Sequence, residues 1–303
     1  MEKKYSQQIK LSLVMLIFFG VLFLTGTFLD KSVAETLFSP QNTFAKLITS
    51  TGIYPFYAAQ VLFLGALFER SVHSERAILI KILLCAVCSY AALNIGYIGA
   101  SSLASSNNLG SIFPSIIRRV DIITALSVIL EYPLFIVGYF AAGRTDDRLL
   151  VRRVVCLFIV MLIAYVVMQE LKNSFCRPRY RTAVLGYEGV TFVPWYKPFH
   201  EAAEYALKYG LRADEFRSFP SGHSLLSTST MYIFLSLAWL FPKLKGKGTH
   251  LFIVGVAFGS IIMLSRMMLG AHYLSDVSAG AVIGTLSSLA FGVIQKRISA
   301  KEQ

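Results

Sequence analysis

Apolar residues in this chain come in blocks long enough to cross a bilayer, and that feature removes most folds from consideration. Eight segments are counted, at approximately 11–29, 53–68, 77–98, 121–142, 154–171, 223–241, 251–268 and 274–294. A helix rises about 1.5 Å per residue, so about 20 residues span a hydrocarbon core about 30 Å thick. Hydrocarbon offers the backbone no hydrogen-bonding partner, and a helix satisfies every peptide group within its own segment. Composition agrees: 55% of the residues are hydrophobic and 15% charged, against about 25% charged in an average soluble domain. The expectation is an all-α integral membrane protein. No internal repeat, low-complexity tract or linker marks a second soluble unit.

The first segment follows Lys4 and Lys10 and is longer than the apolar core of a secretory signal. No small-x-small cleavage site follows it before Asp30, so it is read as a retained helix. The net charge of +12 does not indicate nucleic acid, because no basic patch is interleaved with exposed aromatics. Short basic loops instead set topology. With the N-terminus inside, the cytoplasmic set is Lys3, Lys4, Lys10, Arg70, Arg76, Arg144, Arg148, Arg152, Arg153, Lys243, Lys245, Lys247, Lys296, Arg297 and Lys301. Both termini then lie inside a plasma membrane. The long connection 172–222 breaks this pattern with eight basic residues, and its charges need another explanation. Cys85 and Cys88 form a C-x-x-C inside an apolar run with no second pair and no nearby His, so packing is the reading rather than metal or redox chemistry.

Three clusters fall at the outer ends of the last four helices. Lys172 and Arg179 stand seven apart, Pro220-Ser221-Gly222-His223 opens the next segment, and Ser265-Arg266 is followed by His272 and Asp276. The topology, derived without them, gathers all three on one face. Lys172, Arg179 and Arg266 are fixed cations at a membrane boundary, where leaving them unpaired is costly. An anion with several oxygens, such as phosphate, satisfies them. Ser221, Gly222 and His223 present backbone N–H groups at a helix start. His272 and Asp276, four apart, share a helical face, so the carboxylate can accept a proton from one ring nitrogen and leave the other as a nucleophile. His223 offers a second titratable ring for the leaving group.

These clusters resemble the signature of the type 2 phosphatidic acid phosphatase superfamily, which also includes vanadium haloperoxidases. That signature is Lys, six residues, Arg-Pro; then Pro-Ser-Gly-His; then Ser-Arg, five residues, His, three residues, Asp. The second and third motifs match at every specified position, while Tyr180 replaces the Pro expected after Arg179 and Arg177-Pro178 lies just before. The register of Lys172 with Arg179 is preferred, since Arg177 would require Lys at Glu170. The resemblance covers roughly residues 120 to 294 and implies a six-helix core with two further membrane helices. It implies N-terminal helices over 1–119 and a catalytic core over 120–303. It further implies His272 as nucleophile, Asp276 as its orienter, His223 as general acid, and Lys172, Arg179, Ser221, Gly222 and Arg266 as the phosphate cage, with no metal and no cofactor.

The function so implied is hydrolysis of a lipid phosphate or diphosphate through a phosphohistidine at the outer membrane face. Undecaprenyl diphosphate, phosphatidic acid and phosphatidylglycerophosphate suit it about equally. A phosphotransferase would share every residue, and a non-enzymatic lipid transporter is the third reading. The partners expected are membrane lipids and the lipid phosphate, with no nucleic acid and no obligate protein. Glu131 and Glu170 are intramembrane acids, functional candidates by default. The loop 182–217, with Trp195 and Tyr196, is expected to lie over the site and contact substrate.

Overall fold

The computed structural model describes residues 2–300, with side chains from 4 to 300. Lys301 and the Lys3 side chain, both assigned to the inside, lie outside what is described. Among the described residues every regular element is helical. Seven helices or helical runs are long and apolar enough to cross a membrane, at Lys4–Leu37, Thr43–Val72, Ile78–Leu103, Val120–Ala142, Leu150–Ala183, Gly248–Met268 and Leu274–Ala300. In terms of individual elements these runs comprise α1 (Glu2–Leu37), α2 (Thr43–Thr51) with α3 (Tyr54–Val72), α4 (Ile78–Leu103), α5 (Val120–Leu126) with α6 (Tyr132–Ala142), and α7 (Leu150–Phe175) with the short α8 (Tyr180–Ala183). A surface helix, α9 (Ala202–Lys208), follows in the long connection.

The sequence segment 223–241 is also helical, but in pieces: α10 (Gly222–Thr228), α11 (Thr230–Ser236) and a 3-10 turn, Leu237–Trp239. Ser224, Thr228, Ser229 and Thr230 turn their hydroxyls back onto backbone carbonyls or a neighbouring serine within this stretch, a pattern that loosens regular helix. The chain closes with α12 (Gly248–Met268) and α13 (Leu274–Ala300).

α10 and α11 are buried along nearly their whole length, wedged between α12 and α13. Two small-residue motifs make room. In α12, a Cβ at Gly255 would stand 2.6 Å from the Met231 nitrogen, and one at Gly259 2.7 Å from Thr228 Cγ2. In α13, a Cβ at Gly280 would stand 2.3 Å from the Ser221 carbonyl oxygen, and one at Gly284 2.3 Å from Thr228 Oγ1. Glycine four residues apart lets membrane helices meet backbone to backbone, where van der Waals contact replaces the missing hydrophobic drive. This packing fixes the height of Ser221-Gly222-His223 against α13. Gly280→Ala should therefore lower the thermal midpoint in detergent by an amount equivalent to about 1–3 kcal/mol, measured beside Ala281→Gly, which adds no atoms.

α1 lies along α13 through Phe19, Val277 and Ala281, and Gln8 and Ser12 hydrogen-bond to Ser288. The main core joins α3, α7, α10, α11 and α13 through Phe63, Leu157, Met161, Leu225, Tyr232 and Phe291. α4 and α6 pack chiefly on α3, and much of their apolar surface faces outward.

Candidate active site

Helix α7 ends in the first motif. Cys176 takes a left-handed conformation, φ 45°, and its N–H bonds the Lys172 carbonyl, closing the helix one turn after Lys172. The chain then runs through Arg177-Pro178-Arg179, and the two arginines go to different places. Arg179 lines a cavity of about 320 Å³ together with Lys172, Gly222, His223, Arg266 and His272. Arg177, fully buried, stands behind it. It donates to Asp276 Oδ1 at 2.6 Å, to Asp30 Oδ2 at 2.9 Å, to Ser275 Oγ at 2.9 Å and to the Val193 carbonyl at 2.7 Å. Its guanidinium also lies 4.0 Å from the Tyr273 ring centroid, within cation–π range. The register of Lys172 with Arg179 is thus the one that faces the cavity.

His272 sits in the short turn between α12 and α13. Its Nδ1 lies 2.7 Å from the Ser218 carbonyl oxygen, an acceptor only, so Nδ1 carries the proton and Nε2 keeps its lone pair. Nε2 lies 3.5 Å from Arg179 Nη1. The direct bond anticipated between Asp276 and His272 is not formed: their nearest separation is 3.8 Å. The carboxylate is otherwise engaged. Oδ2 accepts from the Tyr273 N–H at 2.8 Å and from the Ser218 hydroxyl, and Oδ1 holds Arg177. The bond to Tyr273 is the reach-back of an acid at the third position of a helix to its cap. Asp276 therefore orients the ring through Ser218. Burial, then the charges of Arg179, Arg266 and Lys172, hold the His272 ring well below its usual pKa, against the opposing effect of the Ser218 carbonyl. The ring is neutral at pH 7, the form a nucleophile requires.

Lys172 is 8% exposed and Arg266 1%. Lys172 Nζ donates to the Arg217 carbonyl at 2.6 Å, and Arg266 Nη1 to the Asn107 carbonyl at 3.2 Å. Arg266 Nε has no protein acceptor, and among the described residues neither cation has a carboxylate within ion-pair distance. Arg179 is the one neutralised cation, bound to Asp214 at 2.9 Å. Burial raises the Asp214 pKa, but Arg179, a bond from Asn107, Lys172 and Arg181 outweigh it and hold the carboxyl well below the usual range. The cavity wall thus keeps a positive excess suited to a multiply charged oxyanion.

Gly222 lines the cavity; Ser221 does not. Ser221 is fully buried and caps α10, its hydroxyl accepting from Ser224 N–H. His223 Nε2 lies 2.8 Å from Asn108 Oδ1. Asn108 Nδ2 donates to the Ser102 carbonyl at 2.7 Å, which fixes the amide's orientation and makes His223 Nε2 the proton donor. Asn107 and Asn108 come from the loop after α4, and nothing in the three motifs pointed to them. Asp30 was equally unassigned, although an acid ending an apolar run is a signal by itself.

Other expectations fare differently. The long loop supplies Asp214 and Arg217 to the wall, but Trp195 packs away from it, stacked on Phe219 with its indole N–H on Thr27 Oγ1 at 3.0 Å. Glu170 is exposed and in no ion pair among the described residues. Glu131 is fully buried in a π-helical turn, Ser127–Glu131, beside Gly96 and Gly99, and neither carboxylate oxygen has a partner.

The comparisons with known proteins agree with this architecture. The PAP2 superfamily model matches residues 153–299. A lipid A 1-phosphatase of Rhizobium johnstonii is 32% identical over 99 residues, 33% of this chain and 36% of that protein. One from Rhizobium etli is 37% identical over 82 residues, 27% of this chain and 31% of that protein. An uncharacterized 22.5 kDa protein in the cps region of Klebsiella pneumoniae is 36% identical over 90 residues, covering 29% and 41%. The chain thus spans about a third of the length of the two phosphatases it matches. No solved structure matches it. The matched span holds all three motifs and the helices that carry them, and over residues 153–299 this multi-pass membrane protein matches the PAP2 superfamily.

Proposed function

We propose that the chain hydrolyses the phosphate of a membrane lipid through a phosphohistidine on His272, at the outer face of the plasma membrane. The observation that carries this reading is the cavity where a neutral His272 with an unprotonated Nε2 meets three buried cations, two of them without carboxylate partners. Lys172, Arg179, Arg266 and the backbone at Gly222 hold the non-bridging oxygens, where charge stabilisation dominates phosphoryl transfer. Nε2 of His272 attacks phosphorus, an N–P bond forms, and the bond to the lipid oxygen breaks. The bound phosphate charge favours the protonated His223 ring, which gives its Nδ1 proton to that oxygen while Nε2–H stays on Asn108. Water then attacks the phosphohistidine with His223 as base, releasing phosphate and restoring His272. The scheme is carried by groups of this protein and one water.

Asn108 enters as a positioning residue for His223. Asn108→Ala should lower kcat about tenfold or more by freeing the ring, a part of the hundred- to ten-thousand-fold that general acid–base transfer supplies, with KM little changed. Steady-state kinetics on one lipid checks the split.

The lipid is tested by phosphate release in detergent with EDTA, over phosphatidic acid, phosphatidylglycerophosphate, undecaprenyl diphosphate and a glycolipid 1-phosphate of the kind named by the relatives. Release from at least one, unaffected by EDTA, is expected. No release from any, with transfer of the phosphoryl group to an added alcohol, favours the phosphotransferase reading.

A further inference from the structure

A second cavity lies at the opposite end of the helices. Arg153 and Lys172 are 19 residues apart on α7, which separates them by about 28 Å along the axis. This cavity, about 890 Å³, is lined by Lys4, Arg144, Arg148, Arg153 and Lys245, with only Asp146 and Asp147 of opposite sign. The residues come from the start of α1, the loop between α6 and α7, the start of α7 and the loop after α11. Arg153 is fully buried, bound to Asp147 and, at 3.3 Å, to Ser299 Oγ, while its Nε has no acceptor. Arg144, Arg148 and Lys245 are exposed and enter no ion pair among the described residues. The remaining wall is apolar and aromatic: Trp239 donates its indole N–H to Tyr5 OH at 3.0 Å, with Ala238 and Pro242 beside them.

Basic loops on this side serve as topology signals, and such charges are ordinarily solvated and dispersed. Here they converge on a walled cavity that also takes in a buried guanidinium, Arg153, whose Nε has no acceptor. That arrangement matches a phosphate group with an apolar continuation better than bulk water. The geometry points to a second anion site that takes the phosphate of an anionic phospholipid headgroup from the leaflet opposite the catalytic cavity. The inference stands independently of the proposed hydrolysis.

Trp239 reports on the site, because the chain has only two tryptophans and Trp195→Phe leaves it alone. In a Trp195→Phe, His272→Ala background, dioctanoyl phosphatidylglycerol should change Trp239 fluorescence saturably, and dioctanoyl phosphatidylcholine should not. Arg144→Ala, Arg148→Ala and Lys245→Ala together should weaken the apparent affinity at least tenfold. Removing the same charge outside the cavity, with Arg152→Ala, Lys243→Ala and Lys247→Ala, should leave it within twofold. The same saturable response to inorganic phosphate alone would support the phosphate site and name a soluble anion as its source. Equal weakening by both triple variants, or equal responses to the two lipids, overturns the proposal in favour of a diffuse basic surface.

Discussion

Replacing His272 by alanine should abolish phosphate release, by at least about a thousandfold, since removing a covalent nucleophile leaves only binding and electrostatic catalysis. The fold should survive. His272 lies in a turn rather than a helix interior, and its ring makes one firm bond, to the Ser218 carbonyl. His272 itself lines the cavity, so its removal opens the Ser218 carbonyl toward that cavity rather than toward hydrocarbon. Unchanged thermal midpoint with lost turnover in the same preparation is the expected pair of results. Asp276→Asn should behave differently. It removes the charge that pairs with Arg177 and turns one of the two acceptor oxygens into a donor, so either Arg177 or Ser218 loses its acceptor, and turnover and stability fall together.

The two arginines of the first motif give the second large contrast. Arg177→Ala strips the partner from Asp30 and Asp276, both buried, and leaving buried charge uncompensated costs about 3–5 kcal/mol. The variant should be poorly folded or heat-labile in detergent. Arg179→Ala takes donors from two backbone carbonyls, those of Asp214 and Ala271, but strips the charge partner from one carboxylate alone, Asp214, which is 42% exposed at its side chain and keeps a bond from Asn107. That variant should fold and lose about a hundred- to a thousandfold in kcat, the effect of removing one preorganised oxyanion donor. Thermal midpoint and turnover, read on both variants, separate a residue that builds the site from one that acts in it. The reverse assignment, with Arg179→Ala unfolded and Arg177→Ala stable but inactive, would contradict the geometry.

Much of this was legible in the sequence, for identifiable reasons. Bilayer-length apolar blocks announce membrane helices without any tertiary information, and all eight segments are helical in the structure. The convergence of Lys172, His223, Arg266 and His272 followed from topology alone, because the chain must return to the same face after every second crossing. What stayed hidden depends on contacts between segments remote in sequence. Ser218, not an Asp–His bond, fixes the tautomer of His272, because Asp276 is already committed to capping α13 and to Arg177. Asp30 joins that network from α1, 245 positions from Ser275. Trp195 looked like a lid by composition, but an indole finds its best partners in Phe219 and Thr27.

Which helices would supplement the six-helix core implied by the resemblance is likewise a matter of packing rather than pattern. The sequence placed a division at 119/120. We propose instead that α4 and the α5–α6 run are the added pair, since they pack chiefly on α3 while α1 lies along α13. The loop that α4 delivers, with Asn107 and Asn108, then gives that addition a role at the cavity.

Trapping the covalent intermediate decides whether His272 carries the phosphoryl group. Purified protein is mixed with a phosphate ester whose leaving group needs no proton, quenched under conditions that preserve phosphohistidine, and mapped by peptide mass. A phosphoryl group is expected on His272 in the wild type, more of it in His223→Ala, where water is no longer activated, and none in His272→Ala. A phosphorylated residue elsewhere, or full turnover by His272→Ala, would contradict this assignment.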